Sequence, residues 1–218
     1  MRLHFSLTPN TETVPFDYQH FLTGVFHKWM GWNSLHDEIS LYSLGWLQNG
    51  KMVKNGFNFK DGAKWFVSFW DEEIGKQLIM NAVKEPDVFC GMKVKEIQIQ
   101  ETPQFGKKEV FKAASPIFIR KYDDKNKAIH ITSKDKEADF YLTETLKKKM
   151  KKAGLDYDIK VSFDKNYINP KTKLVTIKNI ANRANICPVI IEGNAEAIKF
   201  AWNVGVGHST GSGFGALY

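Results

Sequence analysis

An α+β protein made of two ferredoxin-like (RRM/RAMP-like) βαββαβ domains in tandem is what the sequence predicts, and three observations predict it. The 218 residues suffice for two units of about a hundred residues each. Period-two, β-rich runs alternate with four helical stretches so that each half reads βαββαβ. The halves also differ in charge: residues 1–106 hold ten Lys/Arg against twelve Asp/Glu and residues 107–218 hold twenty-one against twelve, so −2 and +9 make up the formal +7. The junction falls in "ETPQFGKKE", which gives an N-terminal domain at 1–104 and a basic C-terminal domain at 105–218.

Strands are expected near 2–8, 41–48, 63–70, 87–100, 109–120, 157–164, 173–179 and 187–192, with a last short one at 213–218. A first helix over about 17–30 places Phe21, Leu22, Val25, Phe26 and Trp29 on one face. A second starts from an Asp71 N-cap, carries Glu72 and Glu73 in its first turn, and buries Ile74, Leu78, Ile79 and Ala82. The third runs over roughly 137–153 to a stop at Gly154, and the fourth over about 195–204 from an Asn194 N-cap.

Composition limits the function classes. Apolar residues make up 43% of the chain and six Trp contribute to a 13% aromatic share, ample for packed cores, while no apolar run is long enough to span a membrane. The opening "MRLHFSLTPN" reads as a strand without the apolar segment of a secretory signal, so a cytoplasmic location is expected. Cys90 and Cys187 form no Cys-x-x-Cys pair and read as reduced packing residues. A basic half predicts a polyanionic partner, nucleic acid first and an acidic membrane surface second.

"GVGHSTGSGFG", from Gly205 to Gly215, holds five glycines in eleven residues inside that basic half. Bare backbone lets another molecule approach the main chain, and successive amides make an anion-binding concavity. No Gly-Lys-Ser/Thr follows, and no strand precedes with a helix after it, so the Walker and dinucleotide motifs are excluded. The basic run Lys147–Lys152, interrupted by Met150, lies on the third helix and adds charge.

Among the histidines, His4 alternates within the first strand and reads as structural, and His130 falls in a polar hairpin region without a companion. His208 lies in the glycine loop. At 100° per residue His20, Gly24 and His27 share the helix face opposite the apolar stripe. Seven residues, or about 10.5 Å along the axis, separate the two imidazoles, too far for one metal. His36 follows in the polar connection "GWNSLHDEIS". A loop imidazole near a second one at the helix end titrates close to neutral pH, and such a pair can divide general base and general acid.

These segments resemble the CRISPR-associated repeat-RNA endoribonucleases of the Cas-six type, in the RAMP superfamily. "MRLHFSLTPNTETVPFDYQHFLTGVFHKW" is similar to that family's first strand and helix, "LHDEISLYSLGWL" to its histidine loop and next strand, and "GVGHSTGSGFGALY" to its carboxy-terminal glycine-rich signature. The resemblance implies a metal-independent, cofactor-free enzyme that cuts the repeats of a CRISPR precursor transcript. The 2′-OH attacks its own phosphate, leaving a 2′,3′-cyclic phosphate and a 5′-OH.

On that resemblance His36 and His27 are the catalytic residues. Gly205, Gly207, His208, Ser209, Gly211, Gly213, Gly215, Lys147, Lys151 and Arg183 contact RNA. Many relatives carry a lysine shortly after the histidine, and residues 37–41 contain none, so Lys51, Lys54, His20 and Ser43 are the supporting candidates. Repeat RNA and its crRNA product are the implied partners, with effector-complex subunits as further ones; monomer and homodimer both remain open. A non-catalytic RNA-binding RAMP subunit is the alternative, favoured by the missing lysine. A generic RRM-like binder lacks an aromatic RNP strand.

Overall fold

The computed structural model describes residues 1–31, 39–177 and 179–218. In chain order the first half comprises β1 (Arg2–Leu7), α1 (Gln19–Met30), β2 (Tyr42–Leu44), β3 (Lys51–Val53), β4 (Gly56–Asn58), β5 (Lys64–Phe69), α2 (Glu72–Lys84) and β6 (Val94–Gln100). Four of these strands form one antiparallel sheet in the order β2-β5-β1-β6, with β3 and β4 inserted as a separate hairpin. That is the ferredoxin-like order of a βαββαβ unit. Alternation along β1 drives Leu3, Phe5 and Leu7 into the core, where Phe5 packs on Trp29 of α1 and Trp65 of β5, both at 5.3 Å between ring centroids.

The second half comprises β7 (Lys108–Phe111), β8 (Arg120–Tyr122), β9 (Ala128–His130), α3 (Ala138–Lys152), β10 (Ile159–Phe163), β11 (Lys171–Ile177), β12 (Ile180–Ile186), β13 (Val189–Gly193) and α4 (Ala195–Val204). Its sheet runs β10-β13-β7, and the hairpins β8–β9 and β11–β12 stand apart from it. The chain end takes the fourth position. Leu217 bridges Ala113, the Ala114 N–H donates to the Ala216 carbonyl at 2.8 Å, and the Tyr218 N–H donates to the Lys112 carbonyl at 2.9 Å.

Both expected N-caps form: Asp71 accepts from the Glu73 N–H at 3.0 Å and Asn194 from the Ala197 N–H at 2.8 Å. Four expectations are corrected. No strand forms at 213–218, because Gly213 and Gly215 take positive φ of 85° and 63° and break the extended run. The single strand expected at 173–179 is the first arm of a hairpin, and the one at 109–120 splits into β7 and β8. Phe21 lies at the rim of the helix stripe; it is 40% exposed and stacks on Phe89 at 5.4 Å.

Candidate nucleic-acid interface and active site

The glycine loop begins where α4 ends and returns through a 3-10 turn at Thr210–Ser212. Most of its backbone is buried; the side that reaches solvent is His208, Ser209 and Ser212. The bare backbone is used within the molecule. A Cβ on Gly205 (φ +69°) would come 2.6 Å from the Gly215 carbonyl and 3.0 Å from the Ser43 Cβ, and one on Gly211 would come 2.9 Å from the Tyr42 ring. Gly207, Gly213 and Gly215 are buried as well. The loop is the seam between the halves. The Thr210 hydroxyl donates to the Tyr42 carbonyl at 2.9 Å and the Trp46 indole N–H donates to the Gly213 carbonyl at 2.7 Å. Nearby, Arg2 donates to the Leu217 carbonyl at 2.6 Å, its guanidinium between the Phe66 and Trp202 rings.

Ser43, expected beside the site, is fully buried, and its hydroxyl donates to the Asn203 carbonyl at 3.1 Å, so it too fastens the seam. Beneath the loop lies Lys149. Its Nζ donates to the Val204 carbonyl at 2.8 Å, the Gly205 carbonyl at 3.3 Å and the Thr210 hydroxyl at 2.8 Å, capping the C-terminus of α4 with N–H donors. Burial pushes its pKa down to about 7. The helical period announces this: Leu142, Leu146, Lys149 and Met150 fall on one buried face of α3.

The rest of the basic run divides by helix face. Lys147 and Lys151 border a cavity they share with Asp156 and Asp158, whereas Lys148 acts electrostatically on His208. Lys148, which belongs to the basic run but was not among the expected RNA contacts, is therefore on the loop's side.

From there a basic band crosses the second half. The Arg120 N–H donates to His208 Nδ1 at 3.4 Å, and the Arg183 N–H donates to His130 Nδ1 at 3.2 Å. Both rings stand edge-on to Phe118, with centroids 6.4 and 5.2 Å away. His130, read from sequence as having no companion, thus has Arg183 and Phe118. Burial, then Arg120, Lys149 and Lys148, pushes the His208 pKa down to about 4. Burial, then Arg183 and Arg120, holds His130 below the ordinary histidine range. Each imidazole is neutral at neutral pH, and with Nδ1 accepting from backbone it carries its proton on Nε2. They are hydrogen-bond donors rather than proton-transfer groups. Among the described residues neither Arg120 nor Arg183 has a carboxylate partner, so both guanidinium groups are available to phosphate.

His27 lies half-buried in the last turn of α1, its ring edge-on to Phe26 at 5.2 Å, and Phe26 in turn stacks on Tyr42 at 4.4 Å. Tyr42 is the ring against which Gly211 packs, so the helix end and the glycine loop meet through one aromatic stack. His20, the second residue of α1, is engaged: its Nδ1–H donates to the Asp17 carbonyl at 2.7 Å and its ring lies 3.9 Å from Phe21. The hairpin carrying Lys51 and Lys54 is tied to the start of α1 by the Val14–Phe57 bridge and by Phe57 against Tyr18, at the end of the helix remote from His27. His36 lies outside the described residues. Among the described residues no three His, Cys, Asp or Glu side chains gather as a metal site, and no helix is long and apolar enough to cross a membrane.

The fold is that of several solved structures. The product of a Cas6-related gene from Pyrococcus furiosus superposes with a TM-score of 0.88 at 20% identity, over all of this chain and 97% of that one. A CRISPR-associated protein Cas6 gives 0.83 at 20% identity, covering 100% and 98%, and a RAMP protein described as binding different RNA substrates gives 0.82 at 20%, covering 100% and 98%. Comparison with curated protein sequences finds no match. The sequence family described as CRISPR associated protein Cas6, C-terminal, matches residues 99–218, more than half of the chain and the whole of its basic half. With the tandem ferredoxin-like fold and the glycine loop at the seam, that match makes the chain a member of the CRISPR-associated Cas6 family.

Proposed function

We propose that this protein is a metal-independent endoribonuclease that cleaves CRISPR precursor RNA within its repeats to give crRNA. What carries the reading is the band of Lys148, His208, Arg120, His130 and Arg183, whose arginines have no carboxylate partner among the described residues; it starts at the glycine loop of a Cas6-family chain and runs across its basic half. The band suits a phosphodiester backbone: guanidinium groups for bidentate phosphate contacts, and neutral Nε2–H donors between them. The division at residue 104 then separates a domain that cuts, 1–104, from one that holds, 105–218.

In the proposed reaction one imidazole of the His36–His27 pair takes the proton of the 2′-OH. The 2′-oxygen attacks the adjacent phosphorus, the bond from phosphorus to the 5′-oxygen breaks, and the other imidazole protonates that oxygen as it leaves. The products are a 2′,3′-cyclic phosphate and a 5′-OH. His36 is the simplest base, and His27, at the end of α1 beside the Tyr42–Gly211 stack, supplies the second role. Lys51 and Lys54, at the other end of α1, are assigned to backbone contact instead.

The test is incubation of the purified protein in EDTA with the repeat RNA encoded beside its gene, and with the same RNA carrying 2′-deoxy at the cleavage position. Cleavage in EDTA that leaves a cyclic phosphate and stops with the deoxy substrate is expected. An RNA that binds and survives intact would make the protein a non-catalytic RNA-binding subunit.

A further inference from the structure

A cavity of 280 Å³ opens between the halves, beside the glycine loop and away from His27. The first half contributes Asp17, Gln19, Trp46, Met52 and Phe57 to it, and the second contributes Lys173 of β11. At that volume it lies at the lower edge of small-molecule sites, about 300–1,000 Å³. It has room for one planar group and none for a duplex.

Gln19 gives the cavity its chemistry. The residue is 3% exposed, and its Oε1 is buried with no hydrogen-bond partner among the described residues. A buried amide oxygen left unpaired costs about 1–3 kcal/mol, so a partner that enters the cavity and pairs with it recovers that cost. The carbon chain of Gln19 lies 3.8 Å from the position a Gly213 Cβ would take, so the amide is lodged between the glycine loop and the cavity. Its terminal torsion is soft, so the amide plane turns to suit what enters. The walls are aromatic and apolar, with Trp46 held in place by its N–H bond to Gly213 and its ring face 4.7 Å from the Lys173 ammonium.

An aromatic wall, a carboxamide with an unmet acceptor and a cation at the mouth together fit an unstacked nucleobase: stacking for the ring, the amide for the base edge and the ammonium for the adjoining phosphate. Asp17 adds a second acceptor, which favours a base with an exocyclic amino group. A carboxamide matches adenine, accepting from N6–H and donating to N7. Resting on the RNA-binding reading above, we propose that this cavity is a specificity pocket that takes one flipped-out adenine of single-stranded RNA, with Gln19 reading its N6/N7 edge and Trp46 its face. Because the cavity opens at the start of α1 and His27 lies in its last turn, the base read here belongs to a nucleotide away from the scissile phosphate.

The experiment compares affinities for short oligoadenylate, oligouridylate and oligo(7-deazaadenylate), none of which contains the repeat, by fluorescence anisotropy at fixed salt. The wild-type protein is expected to prefer adenylate over uridylate about tenfold and to lose part of that preference with the 7-deaza base, which removes the N7 acceptor. Gln19→Leu is expected to bring the ratio to about one while leaving uridylate affinity unchanged, and Lys173→Ala to weaken all three alike. Equal binding of adenylate and uridylate by the wild type, or a preference that survives both the 7-deaza base and Gln19→Leu, would overturn the pocket and leave the RNA-binding reading standing. Failure of all three to bind would overturn the pocket, while the repeat-RNA assay above decides the RNA-binding reading separately. The 7-deaza comparison uses the wild-type chain, so it decides the matter even if Gln19→Leu misfolds.

Discussion

The two halves repeat one fold and put it to different uses. In the first, four strands close a sheet over a core of Phe5, Phe26, Trp29 and Trp65, and the one inserted hairpin, β3–β4, is short. In the second, three strands and the chain end make the sheet, and two hairpins, β8–β9 and β11–β12, are inserted beyond it. Those hairpins carry Arg120, His130 and Arg183, the part of the basic band that lies outside the glycine loop and α3. A ferredoxin-like sheet therefore supplies rigidity in both halves, and what distinguishes the basic half is the material inserted between its strands. The glycine loop belongs to neither half alone. Its buried side locks the halves together, and only His208, Ser209 and Ser212 face outward.

Removing the imidazoles breaks the comparison most severely. His36→Ala and His27→Ala are each expected to slow repeat cleavage by about 10²–10⁴ while binding persists, measured under single-turnover conditions. The seam comes next. Gly215→Ala places a Cβ against the Val206 carbonyl in left-handed backbone, whereas Gly154→Ala has the same sign of φ (+71°) with open space around it. The strain of about 1–3 kcal/mol is common to both, so thermal unfolding is expected to show a much larger loss for Gly215→Ala.

Charge removal on the second half is a milder change. Arg120→Gln and Arg183→Gln are each expected to lower RNA affinity across sequences and to reduce the slope of log affinity against log salt by about one. A matching change at the exposed Lys84 of the first half should alter neither.

The smallest effect is on stability against pH. The folded Lys149 ammonium titrates near 7, below its ordinary value of 10.5. Between those values the unfolded chain holds the proton and the folded one does not, so stability rises with pH across that window. Melting temperatures of the wild type are expected to climb, relative to Lys149→Met, between about pH 7 and 10. The variant itself should be less stable at pH 8, since the Val204 and Gly205 carbonyls lose their shared donor.

Much of this organisation was legible in the sequence, for physical reasons that differ by element. The four helices show because their apolar stripes have a clear period and two of them begin at Asp71 and Asn194, whose side chains cap them. Strand β12, "IANRANI", was not legible: most of it is exposed, so its alternation carries no hydrophobic signal, and only its partner β11 was expected. The glycine loop was visible as a motif, but its purpose was misjudged in part. Glycine density shows that something approaches the backbone closely, and here Tyr42, Ser43 and other loop residues do so. Arg120 escaped notice, and His130 was read without a companion, because the two stand 10 residues apart on opposite arms of one hairpin, paired in register. Nothing in a linear pattern brings His208 to them. Gln19 reads as an ordinary helix residue until its oxygen is found buried and unpaired.

The measurement that tests the division of labour most directly pairs two readings on the same variants: affinity for a 2′-deoxy repeat RNA, and the single-turnover rate at saturating protein on the cleavable RNA. Arg120→Gln/Arg183→Gln is expected to lose affinity and keep its saturated rate; His36→Ala is expected to keep affinity and lose its rate. A His36→Ala protein that cuts at the wild-type rate, or an Arg120→Gln/Arg183→Gln protein that binds as tightly as the wild type, would contradict a cutting first half and a holding second half.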